Sequence, residues 1–265
     1  MVELSGLFVY PVKSARGIAL SEATLSDRGI EHDRRFMVVD ERGHMLTQRV
    51  LGALARLETE LAGDALALRF EGVKLAVPLR PTSGGRRRVR VFSDEVEALD
   101  LGSAASAFLS SALGRSVALV YMPDETRRQV DPTRAEAQDI VGFADGFPYL
   151  LANEASLQAL NAELPAPVHM QRFRPNFVLR GLPAYAEDTL LDLRIGDVPF
   201  RALKASSRCV IVNIDPLTGV REKGVFETLV RTHSVDKRPM FGQNLVARGS
   251  GRLALGQPVT LPLPS

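Results

Sequence analysis

Apolar residues along most of this chain occur in short runs, alternating or briefly continuous, cut by Gly, Pro, Asp and Asn. That rhythm predicts strands, because side chains on an extended backbone alternate between two faces. Strands are expected over residues 2–10, 35–40, 45–49, 66–70, 74–77, 88–92 and 117–121, with a hairpin turn at Glu41, Arg42, Gly43 and His44. The spacing of Ala107, Phe108 and Leu113 predicts one helix in this half, over 103–113, capped by Ser103 and stopped by Gly114. Residues 123–138 turn polar and carry proline, which suits an exposed connection. Beyond it a helix over 154–164 is expected, capped by Asn153 with Leu157, Leu160 and Leu164 on one face. Strands at 176–180, 191–195, 198–204, 209–214, 243–247 and 258–261 follow, with a short helix at 226–231.

Several strands, few helices and no strand–helix alternation argue for antiparallel or mixed barrels rather than a doubly wound sheet. The expected fold class is α+β and β-rich: an N-terminal β-barrel-like domain over residues 1–125 packed on a second β-barrel with a few helices over 126–265.

Composition narrows the function classes. With 45% hydrophobic and 24% charged residues the chain reads as globular. Lys plus Arg number 33 against 31 for Asp plus Glu, so the net charge of +2 gives no sign of a nucleic-acid or membrane-surface partner. No secretory leader pattern and no apolar run long enough for a membrane helix is read, and a cytoplasmic location is expected. A single cysteine, Cys209, excludes an intrachain disulfide, a four-cysteine zinc site and a cysteine-ligated iron–sulfur cluster.

Three segments carry candidate chemistry. Lys204 to Cys209 runs through Ser206, Ser207 and Arg208, placing the lone sulfur beside a basic, polar loop. Neighbouring cations favour thiolate, which binds soft metals or attacks electrophiles, while a buried thiol packing as a small hydrophobe is the plain alternative. Arg172, Phe173, Arg174, Pro175 and Asn176 set two guanidinium forks and an amide before a strand, suited to phosphate or an acidic heterocycle, or simply solvated. Tyr10, Pro11, Val12, Lys13 and Ser14 end a strand in a turn that would present an ammonium and a hydroxyl, with Arg35 expected to point inward nearby. Arg86, Arg87, Arg88 and Arg90 lack interleaved aromatics and read as solvated, and the four histidines have no metal-ligand spacing.

In order along the chain, YPVKS at 10–14, Arg35–Phe36, EASL at 154–157, FRPN at 173–176, YAED at 185–188, IGD at 195–197, SRC at 207–209, DPLTG at 215–219 and FGQN at 241–244 resemble the MOSC family. These proteins carry the molybdenum cofactor sulfurase C-terminal domain behind an N-terminal β-barrel partner, and the likeness is to their amidoxime-reducing branch. The resemblance implies a molybdenum–molybdopterin cofactor whose metal is ligated by Cys209, also the catalytic position. It implies cofactor contacts from Lys13, Ser14 and Arg35 on one side, and from Arg174, Asn176, Ser207 and Arg208 on the other. Asp145 fits the family pattern too, although Gly146 and Phe147 stand where relatives carry small hydroxyl residues. The implied activity is reduction of small N-hydroxylated compounds, with electrons from a separate flavoprotein, ferredoxin or haem protein. Neither a pyridoxal-phosphate sulfurase domain nor a ferredoxin-like extension is read in the chain. A cofactor carrier or sulfur-relay module without turnover is the alternative.

Overall fold

A computed structural model describes residues 1–261. Its largest sheet has nine strands. Strand Arg238–Ala247 lies near the middle, between Val198–Ser207 on one side and Tyr149–Asn153 on the other. Beyond Val198–Ser207 come Asp192–Ile195 and Val259–Thr260, and beyond Tyr149–Asn153 come Phe177–Arg180, Glu3–Val9 and Ile18–Ala19. Every pairing in this sheet is antiparallel except Tyr149–Asn153 with Phe177–Arg180. A parallel pair needs a crossover, and the helix Glu154–Ala162 provides it.

A four-stranded antiparallel sheet joins Phe36–Val39, Ala118–Tyr121, Asp94–Asp100 and Gly85–Val91, and a meander joins Glu58–Ala62, Ala65–Phe70 and Val73–Pro78. The meander shows why its sequence alternates: Leu66, Leu68 and Phe70 face one core while Ala65, Ala67 and Arg69 do not. The β-rich α+β fold expected from the sequence is the one found.

The two halves interlock. Strand Glu3–Val9 pairs with Phe177–Arg180, bringing Leu7 opposite Phe177, and Glu22–Ser26 pairs with Arg252–Ala254. A division at residue 125 is therefore a division of the sequence, and the first strands cross it. Leu4, Leu7 and Val9 share one apolar core with Phe177, Phe200, Leu245 and Leu253. Val12, Phe36 and Leu54 belong to the core of the first half.

Helix α1 (Gly102–Leu113) ends at Gly114 as expected, with Gly114 at φ 67, a conformation glycine adopts without a Cβ penalty. It begins one residue earlier than the sequence suggests, with Leu101 rather than Ser103 at the cap position. Helix α2 (Glu154–Ala162) is capped by the Asn153 side chain, which accepts from the Ala155 amide at 3.2 Å. Helix α3 (Val225–Thr232) packs against Arg238–Ala247 through a core shared with Phe173, Val212 and Phe241.

Two expected strands are absent. Over residues 45–49 only Met45 makes an isolated bridge, to Val39, before the chain turns: the Val50 and Leu51 amides both donate to the Thr47 carbonyl. Residues 209–214 are not extended either. The strand ends at Ser207, and Val210–Asn213 is a 3-10 turn led by Cys209. The Asn213 side chain draws the chain inward: Nδ2 donates to Glu227 and Oδ1 accepts from the Phe226 amide, tying the turn to α3. Among the described residues no helix is long and apolar enough to cross a membrane.

Candidate cofactor cavity

Both corrected segments end at one cavity of about 270 Å³ between the two halves, which Thr47, Gln48 and Arg49 enter from the first and Cys209 from the second. Clefts at such seams commonly hold ligands. Of the residues singled out in the sequence, Lys13, Ser14, Asp145, Arg174, Asn176, Ser207, Arg208 and Cys209 all line it.

Arg35 does not. Its guanidinium donates to the Met122 carbonyl and to Asp124, 2.7 Å away, and lies over the Tyr121 ring. Arg34 takes the expected place instead. Arg34 has a left-handed backbone, φ 46, so the chain turns over two residues before the strand Phe36–Val39 begins, and the neighbouring side chains leave on different sides. Simple alternation from the strand start could not reveal this.

The cavity wall is strongly cationic. Lys13, Arg34, Arg49, Arg172, Arg174, Lys204 and Arg208 line it, against one carboxylate, Asp145. Lys13 is 3% exposed, and burial lowers its pKa, with the hydrogen-bonded Asp145 carboxylate pulling the other way. Removal from bulk water pushes the Asp145 carboxyl up, yet the Lys13 ammonium, with Arg34 and Arg174, holds it well below the carboxylate range. The Asp145 side chain is 73% exposed, but that exposure is toward the cavity.

Several buried donors in this wall lack a protein acceptor. Arg172 spends Nη2 on Asp215 and Glu222, at 3.1 and 2.5 Å, and its Nη1 is unpartnered. Arg174 donates through Nη1 to the Ala15 carbonyl at 2.7 Å and leaves Nη2 free. Arg208 donates to Ser206 and to the Phe173 carbonyl, and leaves Nε free. Burial lowers the Arg174 pKa to about 10, Arg34's charge adding to the effect, and burial lowers that of Arg208. An unsatisfied buried guanidinium nitrogen is costly. All three belong to side chains that line this one cavity, whose net positive charge suits an anion.

Backbone geometry supports that reading. Ser14, Arg34 and Arg174 all have positive φ, at 66, 46 and 56°. Non-glycine residues pay for this conformation, and such strain collects where side chains must be aimed. Asn176, 1% exposed, braces the group: Oδ1 accepts from Arg34 at 3.1 Å and Nδ2 donates to the Phe8 carbonyl.

Cys209 is half-buried, and it lines the cavity with Arg49, whose pKa its sulfur raises. The thiol is thus not sealed in apolar packing, the plain alternative for a lone cysteine. Arg49 was missed in the sequence because the segment holding it reads as a strand. Among the described residues no group of three or more His, Cys, Asp or Glu side chains is placed to hold a metal alone. A metal here would need ligands from a bound group besides the one thiol. An anionic, sulfur-bearing pterin fits this lining: cationic side chains for its phosphate and a protein thiol for its metal.

Residues 1–116 match the MOSC N-terminal beta barrel domain and residues 138–260 the MOSC domain. The human protein named mitochondrial amidoxime-reducing component 1 is 34% identical over 274 residues, covering 96% of this chain and 81% of that protein. Human mitochondrial amidoxime reducing component 2 is 31% identical over 273 residues, covering 96% and 81%. Among solved structures, the YUAD protein of Bacillus subtilis aligns over 98% of this chain and 94% of its own, at 9% identity and a TM-score of 0.44.

Proposed function

This chain belongs to the MOSC family, pairing the family's N-terminal β-barrel domain with a MOSC domain, and from that premise we propose a molybdenum-cofactor-dependent oxidoreductase that reduces small N-hydroxylated compounds. The observation carrying the proposal is the convergence of seven cationic side chains, against one carboxylate, and the chain's one cysteine on a single cavity. The relatives named amidoxime-reducing components point to the substrate class.

When bound, the cofactor supplies two-electron redox chemistry at molybdenum. The chain's own residues do the rest. Cys209 offers the protein ligand. Arg172, Arg174 and Arg208 would hold the phosphate, with Ser14, Ser207 and Asn176 as neutral partners at the wall they line. Arg34 is fixed by Asp33 at 2.5 Å and by Asn176, so it meets an anion without rearranging. Lys13 and Asp145 hold a charge-assisted pair open to the cavity.

The overall reaction balances as amidoxime plus two electrons and two protons giving amidine and water. The electrons arrive from a separate protein, a flavoprotein, ferredoxin or haem protein. A cytoplasmic location is part of the same reading.

The test is preparation from a host that makes the cofactor, followed by molybdenum analysis and reduction of benzamidoxime with reduced viologen. Stoichiometric metal with turnover is expected. Metal without turnover selects the carrier or sulfur-relay reading, and absence of both overturns the assignment.

A further inference from the structure

Tyr10 lies behind the cavity wall rather than on it, and one ring serves two of the wall's cations. The Arg34 guanidinium carbon is 4.1 Å from the ring centroid and that of Arg174 is 4.3 Å away. Both guanidiniums line the cavity and lie close enough to repel, since Arg34's charge is among the causes that lower the Arg174 pKa. An aromatic face attracts each cation through its quadrupole, most strongly away from water. Tyr10 is 1% exposed.

The ring itself is held from several directions. The Tyr10 hydroxyl donates to the Pro175 carbonyl at 3.1 Å, and its amide donates to Asp33 at 2.8 Å. Gly17 packs so close that a Cβ there would come within 2.3 Å of ring atom Cε1. Burial pushes the phenol up to about 12, so the ring stays neutral. The residues on either side are tied to the same assembly: Arg34 donates to the Arg174 carbonyl at 3.1 Å, and Arg174 to the Ala15 carbonyl.

We propose that Tyr10 is a positioning residue, whose aromatic ring anchors both of the like-charged Arg34 and Arg174 so that the cavity meets an anionic ligand preorganised. The proposal rests on reading the cavity as an anion site. It concerns a residue that touches neither the cofactor nor the substrate.

The test uses the full chain from a host unable to make molybdopterin, with inorganic phosphate as the calorimetric probe. Four versions are compared: wild type, Tyr10→Phe, Tyr10→Leu, and the chain with pentafluorophenylalanine at position 10, which keeps the ring's shape but reverses its quadrupole. Phosphate affinity within about twofold of wild type is expected for Tyr10→Phe, and a loss of about tenfold or more for the fluorinated ring and for Leu. Because the fluorinated ring conserves shape, it decides the matter even if the Leu variant fails to fold. Equal affinity for the Phe and fluorinated chains overturns the clamp while leaving the anion site standing. A wild-type chain without phosphate affinity overturns both.

Discussion

The Lys13 ammonium donates to the Asp145 carboxylate across 132 positions of sequence, joining the turn after the first strand to the loop that opens the second half. One partner is buried and the other opens to the cavity. This pair fastens the seam at which the proposed cofactor sits.

Loss of the pair has a signed pH dependence. Asp145 has a depressed pKa, so its contribution is present above the ordinary 3.8 and is lost as pH falls through the lower, folded value. Asp145→Asn leaves a buried ammonium unpaired at neutral pH. The expected cost is about 2 kcal/mol, below the roughly 3–5 kcal/mol of a fully enclosed pair because water reaches the carboxylate. Urea melts should show the variant and wild type converging in acid, and a pH-independent gap would contradict the account.

Arg34 and Arg35 should separate cleanly. Arg34→Met is expected to lower cofactor content, read as pterin fluorescence after oxidative release, by about tenfold. Arg35→Met should keep its cofactor but lose about 2 kcal/mol of stability, because the Met122 carbonyl and Asp124 forfeit their donor. Equal cofactor loss in both variants would place Arg35 in the site after all.

Glu187 behaves oppositely to Asp145. It is fully buried, accepting from Ser156 at 2.7 Å and Asn153 at 3.2 Å, while its other oxygen has no partner. Burial raises its pKa, the two donors and its own backbone only partly offsetting this. Its folded state therefore holds the proton more tightly, and stability falls as pH rises from 4.5 through the raised value. Glu187→Gln should flatten that fall and leave the chain about 1 kcal/mol more stable at pH 8. Unchanged pH dependence in thermal melts would count against a buried, proton-retaining carboxyl.

How much of this the sequence displays depends on how local the cause is. Alternation at Leu66, Leu68 and Phe70 and the cap at Asn153 act over a few residues, and both are readable. The Cys209 segment is not. Its apolar run suits a strand, but Asn213's bonds to α3, more than ten residues on, bend it into a 3-10 turn. Eight of the nine site residues named from the sequence reach the cavity because short motifs carry them. Arg35 fails for one backbone angle at Arg34, and Arg49 is hidden by a turn that reads as strand. The interlocking of the first strand with Phe177–Arg180 depends on pairing across the whole chain, which no local pattern records.

The most direct test of the central claim is the molybdenum content of the wild-type chain, purified from a host whose other molybdenum enzymes are shown to be loaded. A stoichiometric amount of the metal is predicted. A folded, pure chain that carries neither molybdenum nor pterin from such a host would contradict it.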